Sequence, residues 1–288
     1  VTDSLVFEDP AGVETDLTDH VDFFTLWGVL GRGMPKFDFV EYELPSTDGA
    51  DLREVLVQPR EVTVPLYVEG DNGPNLVELL RSLAARLNPL RGDGILRTVR
   101  ADGSTRELVC RYAGGLELAE TQTESGTRWQ RAVLVFRASS DPLWRDVVDV
   151  SEYVTTTLEG SFFPIPPVVL LASAVYAEAV VDNTGDGTAW PVWTIAGPGS
   201  GITLENLETG ETFTLNVTLA AGEFVVIDTR PGSKSVVDGA TGENLYGSVT
   251  AHDLWGLIPG AQTVRVAIGE TTEETSVLLT YRRRYLTA

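Results

Sequence analysis

Residues 128–144 read RWQRAVLVFRASSDPLW. From Trp129 to Ala138 the run alternates as a half-buried strand does, and it then stops at Ser139-Ser140-Asp141-Pro142. Pro142 has no N–H to give a sheet ladder, and its ring pushes Asp141 out of helical conformation, so the strand must end here. Trp144, two residues beyond the proline, suits the cap of a hydrophobic core. A stop this firm near the middle of 288 residues reads as the end of one domain.

Upstream the texture is that of a β-domain. In REVTVPLYVEG (60–70), Val62, Val64, Leu66 and Val68 fall on one face, with Glu61, Thr63, Pro65 and Glu69 on the other. KFDFVEYEL (36–44) and TRELVCRYAG (105–114) read as half-buried strands of the same kind, and Asp102-Gly103 and Ser125-Gly126 as hairpin turns. One stretch departs from this pattern. NLVELLRSLAARL (75–87) carries Leu76, Leu80, Leu83 and Leu87 at helical spacing, with Leu79 widening the stripe. Pro74 suits a first turn, Glu78 lies early, Arg81 and Arg86 lie late, and Asn88-Pro89 closes the helix.

After Trp144 prolines cluster in FFPIPP (162–167). Short strands between Gly-rich turns follow: VYAEAVVDNTGDG, WPVWTIAG, GITLENLETGETFTLNV, GEFVVIDT, QTVRVAI and TSVLLTYRRRYL. LENLETGETFTL turns at Thr209-Gly210. Many short strands without helical period predict a β-sandwich. The expected division is an N-terminal domain at 1–150 and a C-terminal sandwich at 151–288, with the boundary between Trp144 and Pro167.

The formal net charge is −21. Such a surface repels phosphate backbones, which argues against nucleic-acid recognition. Fifteen of the 21 Arg and Lys lie in residues 1–150, and none occurs between Arg145 and Arg230. No run approaches the roughly 18 apolar residues of a membrane helix, so no membrane association is expected. VTDSLVFEDPAG has neither a basic nor an apolar leader region, so no secretory signal is expected. Cys110 is the single cysteine, which excludes an intrachain disulfide and fits folding in a reducing cytosol.

The search for chemistry returns little. The only histidines are His20 and His252, each beside aspartates in settings typical of surface or edge positions. There is no G-x-S-x-G elbow; GPGSG (197–201) has Pro198 where the first glycine belongs and reads as a turn. Cys110, in ELVCRY, reads as a small buried hydrophobe. DNTGDG (182–187) spaces Asp182 and Asp186 as a calcium loop would, but the twelfth position is Trp193 and the flanks are strands. It reads as a polar turn. Trp190, Trp193 and Trp255 are the residues a sugar-stacking platform would use, although tryptophans in a sandwich are more often core. No catalytic, cofactor or metal set is expected.

The order of these pieces resembles a known family. A strand like REVTVPLYVEG, an amphipathic helix, LNPLRGDGIL, DGSTRELVCRYAGGLE and a strand ending in DPLW come first. A Gly-rich β-domain with NTGDGTAWPVWTIAGPGSGITLENLETGETFTL and GEFVVIDT completes the set. From about Leu52 to Tyr285 this resembles the siphophage distal tail protein (Dit) family of phage tail components, or minor tail proteins. The resemblance implies an N-terminal split β-barrel-like domain that assembles into a hexameric ring at the end of the tail tube, and a C-terminal sandwich of galectin-like or related topology outside it. It implies a structural virion protein without enzymatic activity, made in the host bacterial cytoplasm. Its partners would be itself, the tail tube protein, the tail-tip hub protein and the tape measure protein, with DNA passing through the lumen. The competing reading is an accessory adhesin binding carbohydrate through the C-terminal sandwich; a glycan hydrolase has no signature here.

Overall fold

The computed structural model describes residues 4–43, 48–154, 175–272 and 274–288. Its described residues form two compact units: 1–147 together with 285–288, and 148–284. The expected division at 150/151 gives the whole C-terminal end to the sandwich, whereas the structure returns Tyr285–Ala288 to the first unit.

The first unit opens with β1 (Ser4–Glu8), β2 (Glu14–Asp16), β3 (Phe23–Thr25), β4 (Phe37–Glu43), β5 (Ala50–Val57) and β6 (Arg60–Glu69). Helix α1 (Gly73–Arg86) follows, then β7 (Gly94–Val99), β8 (Thr105–Gly114), β9 (Trp129–Ala138) and β10 (Trp144–Asp146). An antiparallel sheet runs β2-β1-β7-β8-β9-β6-β3, with β10 added beside β8, and curls into a nearly closed barrel. The two-residue period of β6 and β9 decides which face is inside. Val62, Val64, Leu66, Val68, Leu134 and Phe136 are all fully buried, and Phe7 packs on Phe136 with ring centroids 5.0 Å apart.

Helix α1 covers this core. Asn72 caps it, its side chain accepting from the Asn75 N–H at 3.0 Å, and proline stands in the first turn. Leu76, Leu83 and Leu87 are buried, Leu79 and Leu80 partly so, and Arg81 faces outward. Glu78 lies early, in the second turn, and the first turn holds no acidic residue.

Two other sequence expectations change. Phe37–Glu43 of KFDFVEYEL becomes β4, but among the described residues it pairs with β5 alone and no second layer covers the two strands, so both faces of the pair are largely exposed. Asp102-Gly103 does join neighbouring strands, while Ser125-Gly126 turns only at the end of a long connection, residues 115–128, between β8 and β9.

The second unit contains β11 (Val150–Val154), β12 (Val175–Asn183), β13 (Val192–Ala196), β14 (Gly199–Asn206) and β15 (Thr212–Leu219). It continues with β16 (Phe224–Asp228), β17 (Ser235–Asp238), β18 (Val249–His252), β19 (Gly260–Gly269) and β20 (Ser276–Tyr281). These make two five-stranded antiparallel sheets, β11-β20-β13-β16-β17 and β12-β19-β14-β15-β18. One core joins them: Trp193, Ile195, Ile227 and Leu279 from the first meet Ile202, Leu204, Phe213 and Val264 from the second. The β14–β15 hairpin turns as expected, with Gly210 at φ +74 and the Asn206 side chain accepting from the Glu208 and Thr209 N–H groups. The chain enters this unit at once, since β11 pairs with β20 only six residues after Trp144. FFPIPP (162–167) lies outside the described residues.

The leucine face of α1 gives a direct test. Leu83→Ala is expected to cost about 2–5 kcal/mol in urea unfolding, and Leu80→Ala less, because Leu80 is only partly buried. Arg81→Ala is expected to change stability by no more than about 0.5 kcal/mol. Equal losses at Leu83 and Arg81 would overturn the orientation of the helix.

Candidate assembly surface

Arg60, the first residue of β6, stands opposite Ala138, the last residue of β9. That register places it beside the Ser-Ser-Asp-Pro stop. It is only 3% exposed, yet carries a guanidinium. Four backbone carbonyls satisfy it: Nε donates to Pro142 O at 2.6 Å, Nη1 to Gly31 O at 2.7 Å and Gly33 O at 2.6 Å, and Nη2 to Leu286 O at 2.8 Å. Burial lowers its pKa to about 10, Asp141 opposing, so it remains charged at neutral pH. The Trp144 ring, fully buried, lies 5.9 Å from the guanidinium carbon. Asp141 turns the chain by accepting from the Leu143 N–H at 3.2 Å. One side chain thus holds the loop at 31–33, the Asp141-Pro142 stop and residues 285–288.

The returning segment has further ties. Arg106 lies 3.6 Å over the Tyr285 ring, Arg100 donates to Ala288 O, and the Ala288 N–H donates to Arg32 O. Arg106 also pairs with Asp146 at 3.1 Å, and Arg145 with the buried Glu107 at 2.8 Å, which fixes β10 on β8. Gly31 is required where it stands: its φ is +89 and a Cβ would fall 2.0 Å from Glu61 O.

The exposed apolar residues are concentrated beside this junction. Of the 19 large hydrophobics exposed among the described residues, 11 lie between Val21 and Val57. They include Trp27, wholly exposed, Leu30 and Met34 on the loop along β6, and Phe39, Val40, Tyr42, Leu52, Val55, Leu56 and Val57 on the β4–β5 hairpin. An isolated two-stranded hairpin is at best marginally stable in water. Single chains rarely leave so many large apolar side chains exposed within one stretch.

The residues singled out for chemistry are not brought together. His20 is an exposed turn residue, and Asp19 accepts from the N–H groups of Val21, Asp22 and Phe23. His252 stacks on Tyr246, with centroids 5.9 Å apart. Cys110 is buried, which pushes its thiol up to about 12 and leaves it inert. In DNTGDG the working residue is Asn183, buried, donating to Gly187 O and Leu257 O and accepting from the Gly185 N–H. Asp186 and Gly187 donate their N–H groups to Arg284 O, so the loop is a structural turn. Among the described residues no group of three or more His, Cys, Asp or Glu could hold a metal. Trp193 and Trp255 meet edge to face at 5.6 Å inside the sandwich core, and Trp190 is half-buried. Two of the three rings proposed as a sugar platform therefore present no face to a ligand.

Sequence reasoning missed Arg60 and the exposure of the hairpin. Arg60 has no local signature, because its partners lie 27 to 226 residues away. The hairpin was legible in part, as Asp48-Gly49 between two apolar runs is a turn signal.

Residues 184–285 match the family model described as "Siphovirus-type tail component, C-terminal domain". No curated protein matches the sequence. The fold is similar to the Dit (gp 19.1) protein of phage SPP1, with TM-score 0.68 and 17% identity over 98% of this chain and 99% of that one. It is also similar to a chain of the phage P2 baseplate in its activated conformation with Ca, with TM-score 0.57 and 10% identity over 100% of both. The match to the siphovirus-type tail component domain falls on residues 184–285, almost all of them in the second unit, and the likeness to the two solved proteins is one of fold over the whole chain.

The Arg60 junction has a measurable cost. Arg60→Met is expected to destabilise the first unit by about 3–5 kcal/mol in denaturant unfolding, because four carbonyls and a close-packed site lose their partner. Arg60→Lys is expected to recover less than half of that, since one ammonium cannot reproduce the guanidinium fork. Full stability of Arg60→Lys would show that charge alone suffices.

Proposed function

We propose that this chain is a ring-forming adaptor at the distal end of a siphophage tail, joining the tail tube to the tail-tip hub. The observation that carries the reading is the concentration of exposed apolar side chains on residues 21–57, around a hairpin without a second layer. A surface of this kind is completed by another copy, and a contact between two different patches of identical subunits closes into a ring when its rotation permits. Six copies is the number the family resemblance implies. The tube, hub and tape measure proteins would be its neighbours, and DNA would cross the lumen.

The charge supports this assignment. A conduit must not hold the phosphates that pass through it, and a chain of net charge −21 offers no net attraction to them. Copies of like charge repel one another at long range, so the ring has to be held by short-range apolar packing and strand edges. The adhesin reading loses its observation, because Trp193 and Trp255 are core residues.

Native mass spectrometry of the full chain at increasing ionic strength tests the proposal. The expected species is a closed assembly of six 31.2 kDa chains, maintained or strengthened as salt screens the repulsion. Trp27→Ser combined with Phe39→Ser is expected to leave secondary structure unchanged and to shift the population toward monomer. A wild-type chain that stays monomeric at high micromolar concentration would end the ring reading.

A further inference from the structure

The outer face of β8 and β9 sets two arginines side by side. Arg111 and Arg137 are direct cross-strand partners, and like charges so placed are destabilising. Each leans on a carboxylate on its far side, Arg111 on Asp93 at 2.8 Å and Arg137 on Glu61 at 2.7 Å, and about half of each of the four side chains stays exposed. Exposed pairs of this kind contribute little and exchange readily. Between the two arginines opens a cleft of about 340 Å³, lined also by Tyr112, Ser139 and Ser140. Along β9 the outward residues are Arg131, Val133, Val135 and Arg137, with Val133 41% exposed. The face is apolar at its centre and cationic at its ends, on a strongly acidic protein.

The β4–β5 hairpin has the opposite pattern. Residues 36–57 contain six acidic residues and two basic ones. Asp38 pairs across the hairpin with Leu56, and Val40 with Glu54, so these four share one face. Two carboxylates and two apolar side chains stand there together. We infer that the hairpin of one copy lies on the β8–β9 face of the next, with Asp38 and Glu54 answering Arg111 and Arg137 at the cleft and Val40 and Leu56 covering Val133 and Val135. The inference rests on the ring reading and gives it a donor patch and an acceptor patch. The contact is head to tail, as closure into a ring requires.

A charge exchange tests the pairing in the full-length chain. An acceptor variant, Arg111→Glu with Arg137→Glu, and a donor variant, Asp38→Lys with Glu54→Lys, are each expected to raise the concentration for half-assembly by at least about tenfold. Mixed together they are expected to co-assemble in equal numbers, because every donor then meets an acceptor of opposite sign. Misfolded chains cannot produce that recovery. As a second readout, a Glu54→Cys chain mixed with a Ser140→Cys chain is expected to form an interchain disulfide, the native Cys110 being buried. A wild-type ring that the acceptor variant leaves intact, or a mixture that neither reassembles nor cross-links, would overturn this docking while leaving the ring itself standing. A monomeric wild type would overturn both.

Discussion

A charged side chain that is removed from water has to find its hydration again in the protein, and Arg60 finds it in four carbonyl oxygens. None of these acceptors belongs to the strand on which it sits. The architecture around it follows from that requirement. The loop at 31–33 must close over β6, β9 must give way to a turn that offers Pro142 O, and the chain must come back from the second unit to supply Leu286 O. The carbonyls gain a charged donor in return, so the dependence runs in both directions.

The exposed segment is best understood against this junction. Gly31 and Gly33, whose carbonyls Arg60 holds, lie between the exposed Leu30 and Met34, and the hairpin starts at Phe37. The Arg60 hydrogen bonds therefore fix the backbone that carries Leu30 and Met34. A surface displayed in one geometry loses less conformational freedom on binding than one that has to be ordered first.

Much of the fold could be read from spacing. The buried row of β6, the leucine face of α1 and the Thr209-Gly210 turn each express a local period or a local conformational demand. The exposure of β4 could not be read this way. Alternation of apolar and polar residues is the same whether the apolar face meets a core or a neighbouring molecule, and only the partner strand tells which. Strands β17 and β18 were likewise not resolved in the sequence, because each is only four residues long and too short to show a period. For the candidate site, Asp141, Pro142 and Trp144 stood out because proline acts on its immediate neighbours. Arg60, which organises them, acts across the whole chain and leaves no pattern nearby. The tryptophans mark a further limit: an indole beside glycine-rich turns has the same sequence context on a ligand platform as in a sandwich core, and burial decides between them.

The return of residues 285–288 makes the second unit an insertion within the first. During translation, the ribosome completes every strand of the sandwich before it delivers Leu286. Nascent first units therefore wait with one arm of the Arg60 guanidinium unanswered, and the loop that carries Leu30 and Met34 is not fully secured in that interval. The loop that carries Leu30 and Met34 therefore gains its last tie only after the chain has passed through the whole sandwich, which couples the completion of the first unit to the synthesis of the second.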